Sequence, residues 1–234
     1  TNNLIANIYV SINDHKKAIK YYKNTLKFLK KGNLIFDNKK PDLSRIEAEA
    51  FLKIGNSYQL IPKADSAIYY FEKLLNTESF SRDIRVLKGT AYSNLSGIYF
   101  YDENNKDLGK AEIYAKKAIE IHDELNDNQS LAADYGNLAS IYMEKNNPKK
   151  AKELYFKALD FIKDDTRLKA VKYKEVLYDN LGWAMYNLED YIAYDYLDKS
   201  INIRDSLRDV SKADIIKELE IKHNKDLAVK GVEA

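Results

Sequence analysis

The pair Asn-Leu recurs three times in matching surroundings, at Asn94-Leu95, Asn137-Leu138 and Asn180-Leu181, with 43 residues between successive copies. Around it run three related nonapeptides: A-Y-S-N-L-S-G-I-Y from Ala91, D-Y-G-N-L-A-S-I-Y from Asp134 and L-Y-D-N-L-G-W-A-M from Leu177. A fixed period of tens of residues marks a repeat architecture, in which each unit buries its apolar face against its neighbours. Within the unit the apolar spacing is helical. Tyr135, Leu138 and Tyr142 stand at i, i+3 and i+7 and form one stripe.

Composition narrows the class further. Of 234 residues 45% are hydrophobic, with only 8 Gly and 3 Pro, which suits long helices joined by short turns. The 38 basic and 36 acidic residues nearly cancel, leaving a net charge of +2 and no basic excess of the kind nucleic-acid binding needs. No stretch is long and apolar enough to span a bilayer, and no signal peptide is visible. The absence of Cys removes disulfides, thiol nucleophiles and thiolate metal sites, and suits cytoplasm or periplasm alike. The chain opens partway through a repeat, so a preceding segment is expected.

Read in order, the sequence predicts five helical pairs, at about residues 1–31, 41–77, 82–125, 130–162 and 167–207, forming an array over 1–210. A separate terminal helix is expected over 211–234, opened by a capping box of Ser211 and Asp214, with Ile215, Ile216, Leu219 and Leu227 as its apolar residues. In the first pair Ile5, Ile8 and Tyr9 share an apolar face. Asp14 is the expected cap of the next helix, whose buried stripe is Ala18, Tyr21, Tyr22, Thr25, Leu26 and Phe28. Gly32 and Asn33 end it, and a polar loop runs to Lys40. Pro41, Pro62 and Pro148 read as helix openers, where a missing N–H costs nothing.

These pairs resemble the tetratricopeptide repeat, whose pattern is Trp-x2-Leu-Gly-x2-Tyr, then Ala-x3-Phe, then Pro. The second pair shows it as Phe51, Ile54, Gly55, Tyr58, Ala67 and Phe71. The fourth shows Tyr135, Leu138, Ala139, Tyr142, Ala151, Tyr155 and Ala158. The third has Tyr92, Leu95, Tyr99, Ala111, Ala115 and Ala118, with three extra residues in its turn. The first keeps Ile5, Ala6, Tyr9, Ala18 and Tyr22. The fifth keeps Tyr178, Leu181 and Gly182, replaces the usual Tyr by Met185, and has its second helix one residue out of step. The resemblance implies an all-α, right-handed superhelical solenoid. The period exceeds the usual 34 by nine residues, which in the fourth pair fall between Ala158 and Tyr178. Such long-helix repeats resemble those of peptide-sensing regulators and of cargo-binding motor light chains. The run E-L-E-I-K-H-N-K-D from Glu218 resembles the charged helix that follows repeat arrays in bacterial sensors carrying histidine-kinase or DNA-binding output domains.

The residues supply no catalytic constellation. His15, His122 and His223 are scattered among charged residues and read as solvated helix surface, no Gly-rich phosphate loop is present, and H-E-x-x-H spacing is absent. Asp164-Asp165 reads as a loop and helix start, and the Lys-rich runs as solvated faces of second helices. No cofactor and no metal are expected.

The binding candidates lie on another stripe of the first helices: Ser93, Asn94, Gly97, Phe100 and Tyr101; then Gly136, Asn137, Ser140, Met143 and Glu144; then Asp179, Asn180, Trp183, Tyr186 and Asn187. The resemblance implies that this stripe lines a concave groove, and that Asn94, Asn137 and Asn180 clamp the backbone of an extended peptide or protein segment. The second pair has Lys53 at that place. A carboxamide offers one acceptor and two donors, matching a peptide unit. Gly within a helix costs about 1 kcal/mol against Ala, so Gly97 and Gly136 imply room for a ligand, with Phe100, Tyr101, Met143, Trp183 and Tyr186 as anchors for its side chains. The expected function is a non-catalytic peptide- or protein-binding part of a larger signalling protein. The alternatives are a structural scaffold, dimeric or otherwise assembled, with its groove closed by the terminal helix, and the regulatory segment of an enzyme whose catalytic domain lies elsewhere.

Overall fold

Turns between the paired helices close on one repeated hydrogen bond, and that bond sets the register of each pair. The backbone N–H five residues after the recurring tyrosine donates back to its carbonyl: Asp14 to Tyr9 (2.8 Å), Lys63 to Tyr58 (2.9 Å) and Asn147 to Tyr142 (2.8 Å), with Asp190 to Met185 (3.0 Å) in the fifth pair. In the third pair Asp107 donates to Tyr99 (2.8 Å) over eight residues, so its three extra residues bulge out while the same bond still closes. Three of these turns place a residue in the left-handed region just before the donor: Asn13, Asn146 and Glu189, with φ of 58°, 55° and 57°. Proline cannot adopt that φ, so the second pair turns differently through Pro62. Pro62 is therefore a turn residue and not the expected helix opener.

The protein, described here from a computed structural model covering residues 2–30, 43–78 and 81–232, is all-α in the described residues. The helices are α1 (Asn2–Ser11), α2 (His15–Lys30), α3 (Leu43–Leu60), α4 (Ala64–Leu75), α5 (Arg82–Tyr101), α6 (Leu108–Leu125), α7 (Asn128–Glu144), α8 (Pro148–Phe161), α9 (Leu168–Tyr186) and α10 (Ala193–Val232). Gly32, Asn33, Lys40 and Pro41 lie outside the described residues, as do the side chains of Ile215, Ile216, Leu219, His223 and Leu227. Side-chain caps satisfy the first N–H groups of several helices. Asp14 accepts from Lys17 N (3.1 Å), Ser81 from Ile84 N (3.3 Å), Asp107 from Gly109 N and Lys110 N (both 2.9 Å), and Asp127 from Ser130 N (3.1 Å). Asp127 starts α7 at Asn128, two residues ahead of the expected Ser130.

The chain forms two compact units, Thr1–Asn147 and Pro148–Ala234. In the first, each helix packs on its neighbours in sequence, and α5 also packs on α3 and α7. Its core is built from small residues at the helix crossings, Ala18, Ala67, Ala111 and Ala115, and from Tyr22, Ile54, Phe71, Leu74, Ile84 and Leu95 between them. Phe28 and Ile8, expected in the buried stripes of the first pair, are more than half exposed; Ala6, Ile19 and Tyr22 fill that core. In the second unit α9 packs on α8 and on α10.

Two further features differ from expectation. The second helix of the fifth pair and the terminal helix are one continuous element, α10, 40 residues and about 60 Å long. Ser211 and Asp214 lie inside it, because nothing between Leu207 and Ser211 breaks a helix: the run has no Gly and no Pro. Closure of a groove by the tail needs a turn that α10 lacks. His122 is also not solvated. It is 2% exposed, and its Nδ1 lies 2.6 Å from Oδ2 of Asp134, which is equally buried. Ser93 donates to the other Asp134 oxygen at 2.6 Å. One carboxylate thus ties α5, α6 and α7 together, and a side chain on Gly89 would collide with the His122 ring. Burial pushes the Asp134 carboxyl up from its ordinary pKa, while the bonds from His122 and Ser93 draw it back.

A second tie joins α6 to α7 at the surface. Glu112 accepts from Lys116 (2.6 Å), Lys145 (2.5 Å) and the Tyr142 hydroxyl (2.8 Å). Hydrogen bonds from Lys116 and then Lys145, with Tyr142 adding to them, lower its pKa from 4.5 to about 2. A carboxyl whose pKa falls on folding stabilises the fold above its unfolded value, and that contribution is lost as pH drops through the folded one. Glu112→Gln is therefore expected to cost about 1 kcal/mol at neutral pH, with screening around the partly exposed lysines discounted. The difference from wild type should close between pH 4.5 and about 2, as read from urea unfolding across that range.

Candidate functional site

The stripe beside the packing faces divides into residues the protein uses for itself and residues it leaves free. In the first unit Ser93 turns to Asp134. Asn94 Nδ2 donates to Asn56 Oδ1 at 2.8 Å. Glu144 is paired with Lys106 at 2.6 Å, and Gly136 is buried. Gly136 thus offers packing space, not groove space. Asn137 is half-buried, and among the described residues its carboxamide makes no hydrogen bond. Phe100 and Met143 are half-buried. Phe100 meets Tyr101 edge-on with ring centres 4.6 Å apart, and Tyr101 is 72% exposed. A Cβ built on Gly97 meets nothing within 4 Å, so the opening expected there exists. It borders a depression of 310 Å³ lined by Gln59, Pro62, Ala64, Gly97 and Tyr101.

In the second unit Asp179 is drawn to Arg204 of α10 (3.4 Å), whose guanidinium also holds Glu175 at 2.6 Å. Asn180 is half-buried, with its carboxamide unengaged among the described residues. Trp183 is 52% and Tyr186 56% exposed, their rings edge-on at 5.7 Å. Asn187 donates to the Trp183 carbonyl at 2.7 Å. Of the three expected clamps, then, Asn137 and Asn180 keep both their donors and their acceptor available, while Asn94 has committed one donor to Asn56.

Residues at three points of the site were missed in the sequence. Asn56 lies three positions after Lys53 on the same helical face, which is the signal that could have found it. Gln59 follows on that face at i+3 from Asn56. Tyr191 and Tyr194 border a 400 Å³ depression with Tyr186 at the turn from α9 to α10. The small residue that opens a second helix follows the turn donor by four positions at Ala18, Ala67, Ala111 and Ala151, but by three at Ala193. That one-residue slip buries Ala193 and turns Tyr194 outward, where it is 65% exposed.

Half-buried Ser93 and the buried Asp134 and His122 do not form a nucleophile system. There the histidine must stand between serine and carboxylate; here the carboxylate stands between the other two, and His122 Nε2 is buried without a partner. Among the described residues, no helix is long and apolar enough to cross a membrane.

Comparison with known proteins agrees with this architecture. The tetratricopeptide repeat family model matches residues 1–27 and 135–165, which cover most of the first pair and most of the fourth. The two matched stretches carry tetratricopeptide repeats, in a chain that is all-α in its described residues. Among solved structures it is similar to BtubC (BKLC) from P. vanneervenii, with a TM-score of 0.70 and 18% identity over 88% of this chain and 80% of that one. The apo form of RapI gives a TM-score of 0.70 at 18% identity over 88% of this chain and 53% of the other, so the chain spans about half of RapI. The apo form of the quorum sensor NprR from B. thuringiensis gives 0.60 at 16% identity, over 87% and 64%. At such identities the likeness is one of fold. No curated protein matches the sequence.

The glycines separate packing from opening. Gly97→Ala is expected to stabilise the protein by about 1 kcal/mol, because a helical glycine gains a side chain that meets nothing. In Gly55→Ala the Cβ would lie 2.4 Å from the Phe71 ring, and about 1–3 kcal/mol of stability is expected to be lost. Chemical denaturation of the two variants beside wild type measures both.

Proposed function

We propose that the chain is a non-catalytic module that binds an extended peptide or protein segment along the stripe of its first helices. Each unit presents a stripe of its own. The observation that carries the reading is the pair of carboxamides unengaged among the described residues, Asn137 and Asn180; further along the same two helices Met143 is half-buried and Trp183 and Tyr186 are exposed. Such a carboxamide can accept from a peptide N–H while donating to a peptide C=O, and so hold an extended backbone whatever its sequence. Neighbouring apolar side chains then select what the segment carries. The opening at Gly97 lets a ligand backbone approach α5 closely. Asn94, already tied to Asn56, serves the same segment through its remaining donor and carbonyl. Phe100 and Tyr101 form an aromatic wall beside it.

The array over residues 1–210 takes the binding role, and the end of α10 beyond residue 210 acts as a linker helix. The long reach of α10 and its charged run from Glu218 to Asp226 support a place within a larger signalling or scaffolding protein. The fold shared with the quorum sensor NprR supports the same setting.

The test uses a random heptapeptide phage library panned against the immobilised chain, with recovered peptides resynthesised. Asn137→Ala and Asn180→Ala are each expected to weaken their binding about tenfold, in line with a lost pair of hydrogen bonds, while leaving the thermal midpoint within a degree or two. Peptides that bind both variants as tightly as wild type would remove the clamp from the account.

A further inference from the structure

The turn from α9 to α10 combines features found at no other turn of the described residues. Its 400 Å³ depression is lined by Tyr186, Tyr191 and Tyr194, together with Asn187, Glu189 and Asp190. The three rings are 56%, 89% and 65% exposed, and among the described residues none of their hydroxyls has a hydrogen-bond partner. Single exposed aromatics are ordinary, but three around one depression are not. Charge accompanies them. Asp190 is answered by Lys152 of α8 at 2.7 Å, whereas Glu189 is exposed and has no ion-pair partner among the described residues. The depression therefore carries one negative charge with no ion-pair partner among the described residues, beside three tyrosine rings of the kind that attract cations through their quadrupoles.

We propose that this depression receives a cationic side chain, Lys or Arg, of the segment bound by the second unit. The proposal rests on the reading of the stripe as a segment-binding surface and names what the segment must carry at its α10 end. A side chain fits better than a free small cation. The depression is open and the rings are well exposed, so a lone cation would stay largely hydrated and gain little. A lysine or arginine delivered by a backbone already held at Asn180 and Trp183 meets the rings without a separate association cost. The position of Glu189 fits the same purpose. The first and fourth pairs have Asn13 and Asn146 at the left-handed step of this turn, and Asn visits that region far more readily than Glu. Here a carboxylate occupies a backbone site that local conformation would give to Asn.

Trp183 is the one tryptophan, and it stands edge-on to Tyr186, a wall of the depression, so its fluorescence reports on occupancy. The probes are acetylated and amidated pentapeptides: Ala-Ala-Lys-Ala-Ala, its Arg counterpart, and a norleucine counterpart that keeps the apolar stem without the charge. The Lys and Arg peptides are expected to give saturable changes in the millimolar range, weakened by salt, with the norleucine peptide about tenfold weaker. Glu189→Asn is expected to lower the response to Lys about tenfold while raising the thermal midpoint. Tyr191→Ala is expected to lower it with the fold unchanged. Equal binding of the norleucine peptide, absence of any saturable response to Lys, or a Glu189→Asn variant that responds as wild type would each overturn the proposal. Asn180→Ala separates it from the reading it rests on: if that variant binds the Lys peptide as wild type does while Glu189→Asn does not, the cation site stands and the backbone clamp falls.

Discussion

Everything else in this protein depends on how closely two paired helices can approach. At Gly55 the Phe71 ring occupies the space a β-carbon would need, and at Gly182 the Leu197 side chain does the same. Close approach buries one stripe of each first helix in its own packing and leaves the next stripe turned outward. A solenoid stabilised this way needs little from any single contact, because each element adds an interface with its neighbours. The stripe left over is then available for recognition at little cost to the fold.

Register completes the arrangement. One hydrogen bond, from the turn donor to a carbonyl near the end of the first helix, that of a tyrosine in four pairs and of Met185 in the fifth, recurs in all five pairs and tolerates both a three-residue bulge and a proline. Where the spacing after it shortens by one residue, at Ala193, the outward face of α10 changes: a tyrosine that would have been core becomes part of a wall. A small local change in chain length thus produces a chemically distinct turn on a repeated frame. The Ser93–Asp134–His122 tie does the opposite. It spends polar side chains on fixing three helices against one another, and the desolvated carboxylate is supported by both bonds it accepts.

The 43-residue period, the helix bounds ahead of the tail to within a few residues, the extra turn residues of the third pair and the slip in the fifth were all legible in the sequence, because each follows from local spacing. Features set by partners distant in the chain were not. His122 is flanked by Ile121 and Asp123 and looks solvated until Asp134 is brought beside it by the turn at Asn126 and Asp127. Asn94 reads as a free clamp until the neighbouring pair offers Asn56, 38 residues away. Gly97 and Gly136 hold different places in the 43-residue frame, Gly97 matching Ser140 and Gly136 matching Ser93, and the structure leaves the first facing open space and buries the second. The tail was misdivided for a different reason: Ser211 and Asp214 spell a start signal, but such a signal has force only where the preceding helix has ended. Nothing had ended it.

The central claim is that the second unit's stripe faces water, ready for a ligand, and is not sealed by the protein itself. Collisional quenching of Trp183 by acrylamide, in the whole chain, tests this most directly, since no other tryptophan contributes. The account predicts a quenching constant close to that of an exposed indole, unchanged on dilution across the concentration range where a dimer would dissociate. A protected Trp183 at all concentrations would mean that α10 or a neighbouring helix covers the stripe, and the binding surface described here would not exist.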